Sequence, residues 1–411
     1  MTSYTSTEKK SNTALIVLIA GALSVLLGMG LRNSLGLFQI SLTTDLGWGR
    51  EIFSLALAMQ NLLWGAFQPF ASAAADKWGP GRVVALGGLL YGVGLYVMSN
   101  SLTPDSFYLS AGLMLGMAQS ACAIGIILGV VGRVMPPEKR SWGLGLVTAA
   151  GGVGQFTVVP LGQVLLGEYG WSLAFMYLSA FGLIIVCCGL AIGQAAKNTP
   201  AKTSADESAV SLKEAIKEAA GHQGYRLLTM GFFVCGFHVA FIGVHLPAYL
   251  HDIGMSNETG ALALVLIGVF NVIGSFTAGV LGGKHRKKSL LSILYLTRAF
   301  VMIWFILTPI SILTVIIFAC AMGFLWLGTV PLTSGLVAQI FGARYMGTLF
   351  AFVFFSHQIG SFLGVWLGGY LFDTFGTYMP VWWAGVALGF GAALFHWPIN
   401  DKTLVRTQPA E

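Results

Sequence analysis

Twelve predominantly apolar runs, each about as long as a bilayer is thick, alternate with short polar segments along this chain. They fall at roughly 14–42, 53–75, 83–99, 107–131, 141–166, 173–192, 227–250, 262–281, 290–310, 313–340, 346–371 and 381–397. A helix needs about 20 apolar residues to cross the hydrocarbon core. Inside lipid a backbone must satisfy its own N–H and C=O groups, which restricts such runs to helices or a closed barrel. Runs this long and continuous predict helices, so the chain reads as an all-α integral membrane protein with twelve transmembrane helices. With 56% hydrophobic and 9% charged residues over 411, a soluble domain is excluded.

Charge placement sets the orientation. Of the 22 Lys and Arg residues, Arg50 alone falls in an outer loop, and Arg32 and Arg298 lie inside apolar runs. All the others fall on the side that holds both termini, which the positive-inside rule makes cytoplasmic. The net charge of +6 is therefore a feature of topology and attraction to the inner leaflet, and gives no reason to expect nucleic acid. The five cysteines all fall in predicted spans without metal-ligand spacing and read as small core residues. No metal or cofactor is expected.

The chain is also an internal duplication. Asp45, Gly47 and Glu51 recur as Asp252, Gly254 and Glu258, and Gly154, Gly162 and Gly170 recur as Gly360, Gly368 and Gly376. Both blocks share an offset of half the chain, which predicts two six-helix pseudo-symmetric halves in the same orientation, with a central site near the midplane. The expected units are 1–193, a cytoplasmic linker over 194–226 and 227–411. Within the linker, Ser211 and Glu214 form a capping-box pattern that opens a short amphipathic helix.

The loop after the second run carries Ser72, Asp76-Lys77, Gly79 and Arg82. It is similar to the G-x-x-x-D-R/K-x-G loop signature of the major facilitator superfamily, with Ser72 in place of the first Gly. The second-half copy, Gly279 to Lys288, keeps the basic run and lacks the Asp. Two further segments resemble the monocarboxylate transporter and oxalate/formate antiporter branch: Leu31-Arg32-Asn33-Ser34-Leu35-Gly36-Leu37-Phe38, and Lys139-Arg140 with Trp142, Gly143 and Gly145 entering the fifth helix. The resemblance implies a basic substrate residue at Arg32, and gating roles for Asp76, Lys77, Arg82 and Arg140. It departs at the eighth helix, where the branch's arginine aligns near Ser275, beside Asn271.

Arg32 and Arg298 stand out because no Asp or Glu shares any apolar run with them. A cation at the centre of a membrane helix costs roughly 2.5 to 3.5 kcal/mol on the mildest scale, so it persists where it faces protein, water or a ligand. A guanidinium receives a carboxylate bidentately, which makes a small organic anion the natural ligand. On a helical period Gly36 and Gln39 share the face of Arg32. Arg298 lies about 14 Å along its helix from Ser289, too deep for easy snorkelling. It is either a second anion contact or an arginine tied to Asn271 or to backbone carbonyls.

Further expected contacts are Asn33, Gln119, Trp326 and three histidines. His238 and His245 share a face of the seventh helix, with His238 expected at the depth of Arg32 across a cavity, and His357 is in the eleventh. Histidine titrates near neutrality, so any of the three is able to couple transport to protons, or else serves as a neutral hydrogen-bonding residue. Gln60, Asn61, Gln358, Thr329 and Thr333 are weaker polar candidates, and Pro247 and Pro331 mark expected bends. An enzyme is disfavoured because no acid, nucleophile–base pair or metal cluster falls in the spans.

These features predict a secondary active transporter of a small organic anion, a monocarboxylate by the resemblance, working by alternating access with proton coupling or anion exchange. It is expected as a monomer in the cell (inner) membrane, in contact with lipid and, for symport, with protons. The rival is an exporter of drugs or other hydrophobic compounds from the same superfamily.

Overall fold

Every crossing in the computed structural model is helical, as a hydrocarbon surround demands. The structure describes residues 2–195, 212–342 and 346–404. Among these there is no strand. The crossings are α1 (Thr13–Leu46), α2 (Arg50–Trp78), α3 (Pro80–Ser99), α4 (Pro104–Val134), α5 (137–169), α6 (171–195), α7 (Gln223–Asp252), α8 (Asn257–Lys284), α9 (Lys287–Leu307), α10 (Ile312–Phe341), α11 (Met346–Phe375) and α12 (Met379–His396). Ten segments are long and apolar enough to span by length and composition alone. One of them holds both α5 and α6, and α2, whose ends are charged, completes the twelve.

The duplicated glycines are explained by contacts made twice. Gly170 and Gly376 have φ of 73° and 69°, a left-handed backbone that lets α5 turn into α6 and α11 into α12. A Cβ on Gly154 would strike the Leu26 carbonyl, and one on Gly360 the Phe233 carbonyl. Leu26 and Phe233 are themselves a half-chain apart, so α1 crosses α5 as α7 crosses α11. The halves then meet through α2 against α11 and α5 against α8.

Three crossings are not continuous. In α1 a 3-10 turn occupies Leu35–Phe38. α4 winds loosely over Tyr108–Met114, stops at Ala121 and restarts at Ile124. α10, expected as one helix over 313–340, is instead Ile312–Phe324 and Thr329–Phe341 with an unwound turn between. The α4 and α10 breaks coincide under the half-chain offset, Cys122 matching Gly328. By contrast Pro247 is accommodated inside a continuous α7.

On the side that holds both termini a short helix, Leu212–Gly221, precedes α7; Ser211 of the expected capping box lies outside the described residues. The second-half loop that lacks an Asp in sequence finds one elsewhere. Arg286 Nη2 and Nε donate to Asp401 at 2.6 and 3.2 Å, and Lys288 donates to the Ile399 carbonyl at 2.7 Å. The chain after α12 thus clasps the loop before α9. Of the cysteines, Cys122, Cys188 and Cys235 are buried, but Cys187 is exposed on the outer surface of the bundle.

Candidate functional site

Arg32 is half-buried in α1, and its fork is aimed at the α2 side. Nη2 donates to Asn61 Oδ1 at 2.7 Å and Nη1 to Asn33 Oδ1 at 3.3 Å. The guanidinium carbon is 5.2 Å from the centre of the Trp64 ring. Nε is buried without a partner, and among the described residues no carboxylate lies within 4 Å of this cation. Gly36 and Gln39 were expected on its face. Past the 3-10 turn Gln39 faces α2 as Arg32 does, whereas Gly36 packs against the Gly243 and Val244 carbonyls of α7. Gln39 is buried at the outer end, bonded to Ser54 at 3.2 Å.

A small recess opens beside Arg32, lined by Val25, Gly28, Met29, Trp64, Tyr91, Gln119, Cys122, Ala123 and Ile124. Arg32 and Gln119 are therefore brought together. Gln119 Nε2 donates weakly to Tyr91 Oη at 3.5 Å, and that hydroxyl donates to the Gly28 carbonyl at 3.3 Å. Gln119 Oε1 is buried with no partner. Asn33 Nδ2 donates to Gln155 Oε1 at 3.3 Å, and Gln155 Nε2 to the Leu264 carbonyl of α8 at 2.8 Å. The environment of Arg32 is thus tied to the contact between the halves.

Arg298 is fully buried and is not in this recess. Its Nε donates to the Leu325 carbonyl at 3.1 Å and its Nη2 to the carbonyls of Leu325 (2.5 Å) and Trp326. Asn271 Oδ1 accepts the Leu327 N–H at 3.1 Å. The unwound turn of α10 exposes the carbonyl end of one half helix, where the helix dipole is negative, and Arg298 sits on it. Trp326 contributes its carbonyl from within that turn, with its ring buried.

The histidines are likewise held by protein. His238 Nε2 bonds the Gly385 carbonyl at 2.7 Å, which turns the ring toward α12 rather than across toward Arg32. His245 uses both nitrogens, one on the Val365 carbonyl (2.8 Å) and one on Tyr378 Oη (3.2 Å). His357 stacks on Phe354 and lies 3.2 Å from Gln358 Oε1. Among the described residues no three His, Cys, Asp or Glu side chains converge as a metal-binding set.

At the end of the bundle away from the termini the halves are joined by residues that the sequence reading did not place in a site. Arg50 meets Asp252 with two 2.6 Å bonds, donates to Tyr378 Oη at 3.0 Å and covers the Phe372 ring at 3.7 Å. Asp373 of α11 accepts the N–H groups of Arg50 and Glu51, at 3.0 and 2.8 Å, and so caps α2 from the opposite half. A lone basic residue in an outer loop was the available signal, because such a charge breaks the inside bias and needs an acid. On the side that holds the termini Asp76 is 3.8 Å from Arg133 in a partly exposed pair, and Lys77 lies over Trp78 at 5.7 Å. Among the described residues Arg82 and Arg140 have no ion-pair partner.

The profile of the Major Facilitator Superfamily matches residues 20–364 and 228–411. The chain is 24% identical over 370 residues to monocarboxylate transporter 12 of Rattus norvegicus, covering 83% of this chain and 76% of that one. It is 24% identical over 387 residues to the MFS-type transporter YcxA of Bacillus subtilis (strain 168), covering 90% and 91%. Monocarboxylate transporter 13 of Rattus norvegicus is 26% identical over 338 residues, covering 80% and 74%. The fold is similar to the crystal structure of a bacterial homolog of the human lysosomal transporter Spinster, in an inward-facing and unoccupied conformation. The TM-score is 0.72 at 14% identity, over 94% of this chain and 96% of that one. With its duplicated six-helix halves and a family match over most of its length, the chain belongs to the Major Facilitator Superfamily and is a membrane transporter, not an enzyme.

Proposed function

We propose that this transporter carries a small organic anion, a monocarboxylate, by alternating access. The observation that carries the reading is Arg32, a membrane guanidinium beside a recess with no carboxylate among the described residues to neutralise it. A charge so placed costs a few kcal/mol, and an entering carboxylate offsets that cost. One cation and a small recess favour one carboxylate over two, and the apolar lining from Val25, Met29 and Trp64 suits a short carbon chain. The relatives named monocarboxylate transporter support the same class.

Arg32, Asn33 and Gln119 are the proposed substrate contacts, while Arg298 and Trp326 shape the break in α10. The Arg50–Asp252 seal makes this arrangement closed on the outside, and both termini belong in the cytoplasm of a cell membrane by the charge bias. Proton symport, with the proton on a histidine or on the substrate–Arg32 ion pair, and anion exchange are the coupling modes consistent with apolar runs that hold no acid. Export of neutral hydrophobic compounds leaves Arg32 without a purpose.

The test is counterflow in proteoliposomes with formate, acetate, pyruvate, lactate and benzoate, with succinate and oxalate as dicarboxylates. Uptake of at least one monocarboxylate is expected, weakened by Arg32→Lys and nearly abolished by Arg32→Ala in a protein that still inserts. Removing one partner of a buried charge pair costs about 2 to 5 kcal/mol. Transport by Arg32→Ala with unchanged affinity would sink the assignment.

A further inference from the structure

The α4 break lies in the wall of the recess, and it is the counterpart of the α10 break. In α10 the exposed carbonyls are taken by Arg298 and the Leu327 N–H by Asn271. In α4 the protein supplies no such partners to the second half helix, Ile124–Val134, which is 11 residues long and has no side-chain cap. Among the described residues, the N–H groups of Ala123 and Ile124 have neither a backbone nor a side-chain acceptor. Both residues line the recess with Arg32.

A second, independent feature points to a ligand there. Gln119 is 6% exposed, lines the same recess, and has a buried amide oxygen without a partner. A half-turn of that amide lets the Tyr91 hydroxyl donate to Oε1 in place of the Gly28 carbonyl and presents Nε2 to the recess. The buried Arg32 Nε is also without a partner. N–H groups at a helix N-terminus carry a partial positive charge and suit an anion, and discontinuous membrane helices point such termini at anionic groups.

We propose that the carboxylate of the substrate is held between the Arg32 guanidinium and the N-terminus of the α4 half helix, with the Ala123 and Ile124 N–H groups and the Gln119 amide as its further donors. This rests on the Arg32 reading above and extends it to a backbone anion site. The site binds the carboxylate itself, so acids of different carbon skeleton share it, and the corresponding amides and alcohols are rejected.

Ile124→Pro tests the backbone donor directly. Ile124 is the first helical residue, where Pro is tolerated, and Ala123 has φ −60° and ψ 141°, a conformation suited to the residue before Pro. Ile124→Ala shortens the same side chain but keeps the N–H, so the ratio of the two KM values reports the amide alone. Using whichever monocarboxylate of the panel gives the strongest counterflow, KM for Ile124→Pro is expected about tenfold above that for Ile124→Ala, as a hydrogen bond to a charged group warrants.

Equal KM values for the two variants, with Arg32→Ala still defective, would overturn the half-helix site and leave the Arg32 reading standing. Counterflow of none of the acids, or an unaffected Arg32→Ala, would overturn that reading itself. Should Ile124→Pro not fold, the amide of Ile124 in isotope-labelled parent protein is followed by NMR as that acid is added. A saturable downfield proton shift is expected, and an unmoved amide at saturation refutes the proposal.

Discussion

Replacing Arg298 by methionine separates a structural arginine from a substrate-binding one, and the structure sets the size of the effect. The guanidinium makes hydrogen bonds to the carbonyls of Leu325 and Trp326 and is fully buried. Two charge-assisted bonds contribute about 1.5 to 3 kcal/mol each. Removing the cation also removes its membrane cost of roughly 2.5 to 3.5 kcal/mol. The difference leaves a net loss of about 0.5 to 2.5 kcal/mol, concentrated in the α10 turn, whose Leu325 and Trp326 carbonyls lose their donor. Thermal unfolding in detergent, followed by tryptophan fluorescence, is expected to shift down by several degrees for Arg298→Met. The KM of the surviving protein for its monocarboxylate should stay within about twofold of the parent, because Arg298 does not line the Arg32 recess. A tenfold rise in KM with unaltered thermal stability would refute this reasoning and make Arg298 a second anion contact.

Three further outcomes follow from other contacts. Asp252→Asn weakens the bidentate, partly exposed bond to Arg50 by about 1 kcal/mol; outward-open molecules, read by labelling a cysteine placed near the seal, should rise about fivefold, and unchanged labelling would dismiss the seal as a gate. His238, His245 and His357 changed together to Gln keep hydrogen bonding but lose titration near neutrality; loss of pH-gradient-driven uptake with surviving counterflow assigns the proton to a histidine, and undiminished gradient-driven uptake rejects it. Arg286 beside Asp401 holds that carboxyl below its ordinary range, so the clasp stabilises fully above the unfolded value of about 3.9. That contribution fades as pH falls through the lower folded value, so Asp401→Asn should reduce the melting temperature at pH 7, and the gap should narrow as pH falls below about 4. A gap independent of pH would deny the ion pair its part.

Much of this protein was legible along the chain. Hydropathy alone determined the helical crossings, because hydrocarbon leaves a spanning backbone only helices or a closed barrel and the apolar runs are too long for barrel strands, and the offset of Gly154 and Gly170 to Gly360 and Gly376 determined the two halves, because each pair marks a helix contact or turn that is made twice. Arg32 was visible as a charge without a neighbour of opposite sign. The Arg50–Asp252 seal joins residues from different halves that no local pattern links. Only the tertiary structure decided that the two membrane arginines differ. Along the sequence they look alike, but Arg298 finds its partners in carbonyls exposed by a break in α10, and helix breaks at mid-membrane depend on which neighbours can satisfy the freed backbone groups. Arg32 meets side-chain amides instead, and among the described residues its Nε–H has no acceptor, beside a half helix whose first N–H groups have none either.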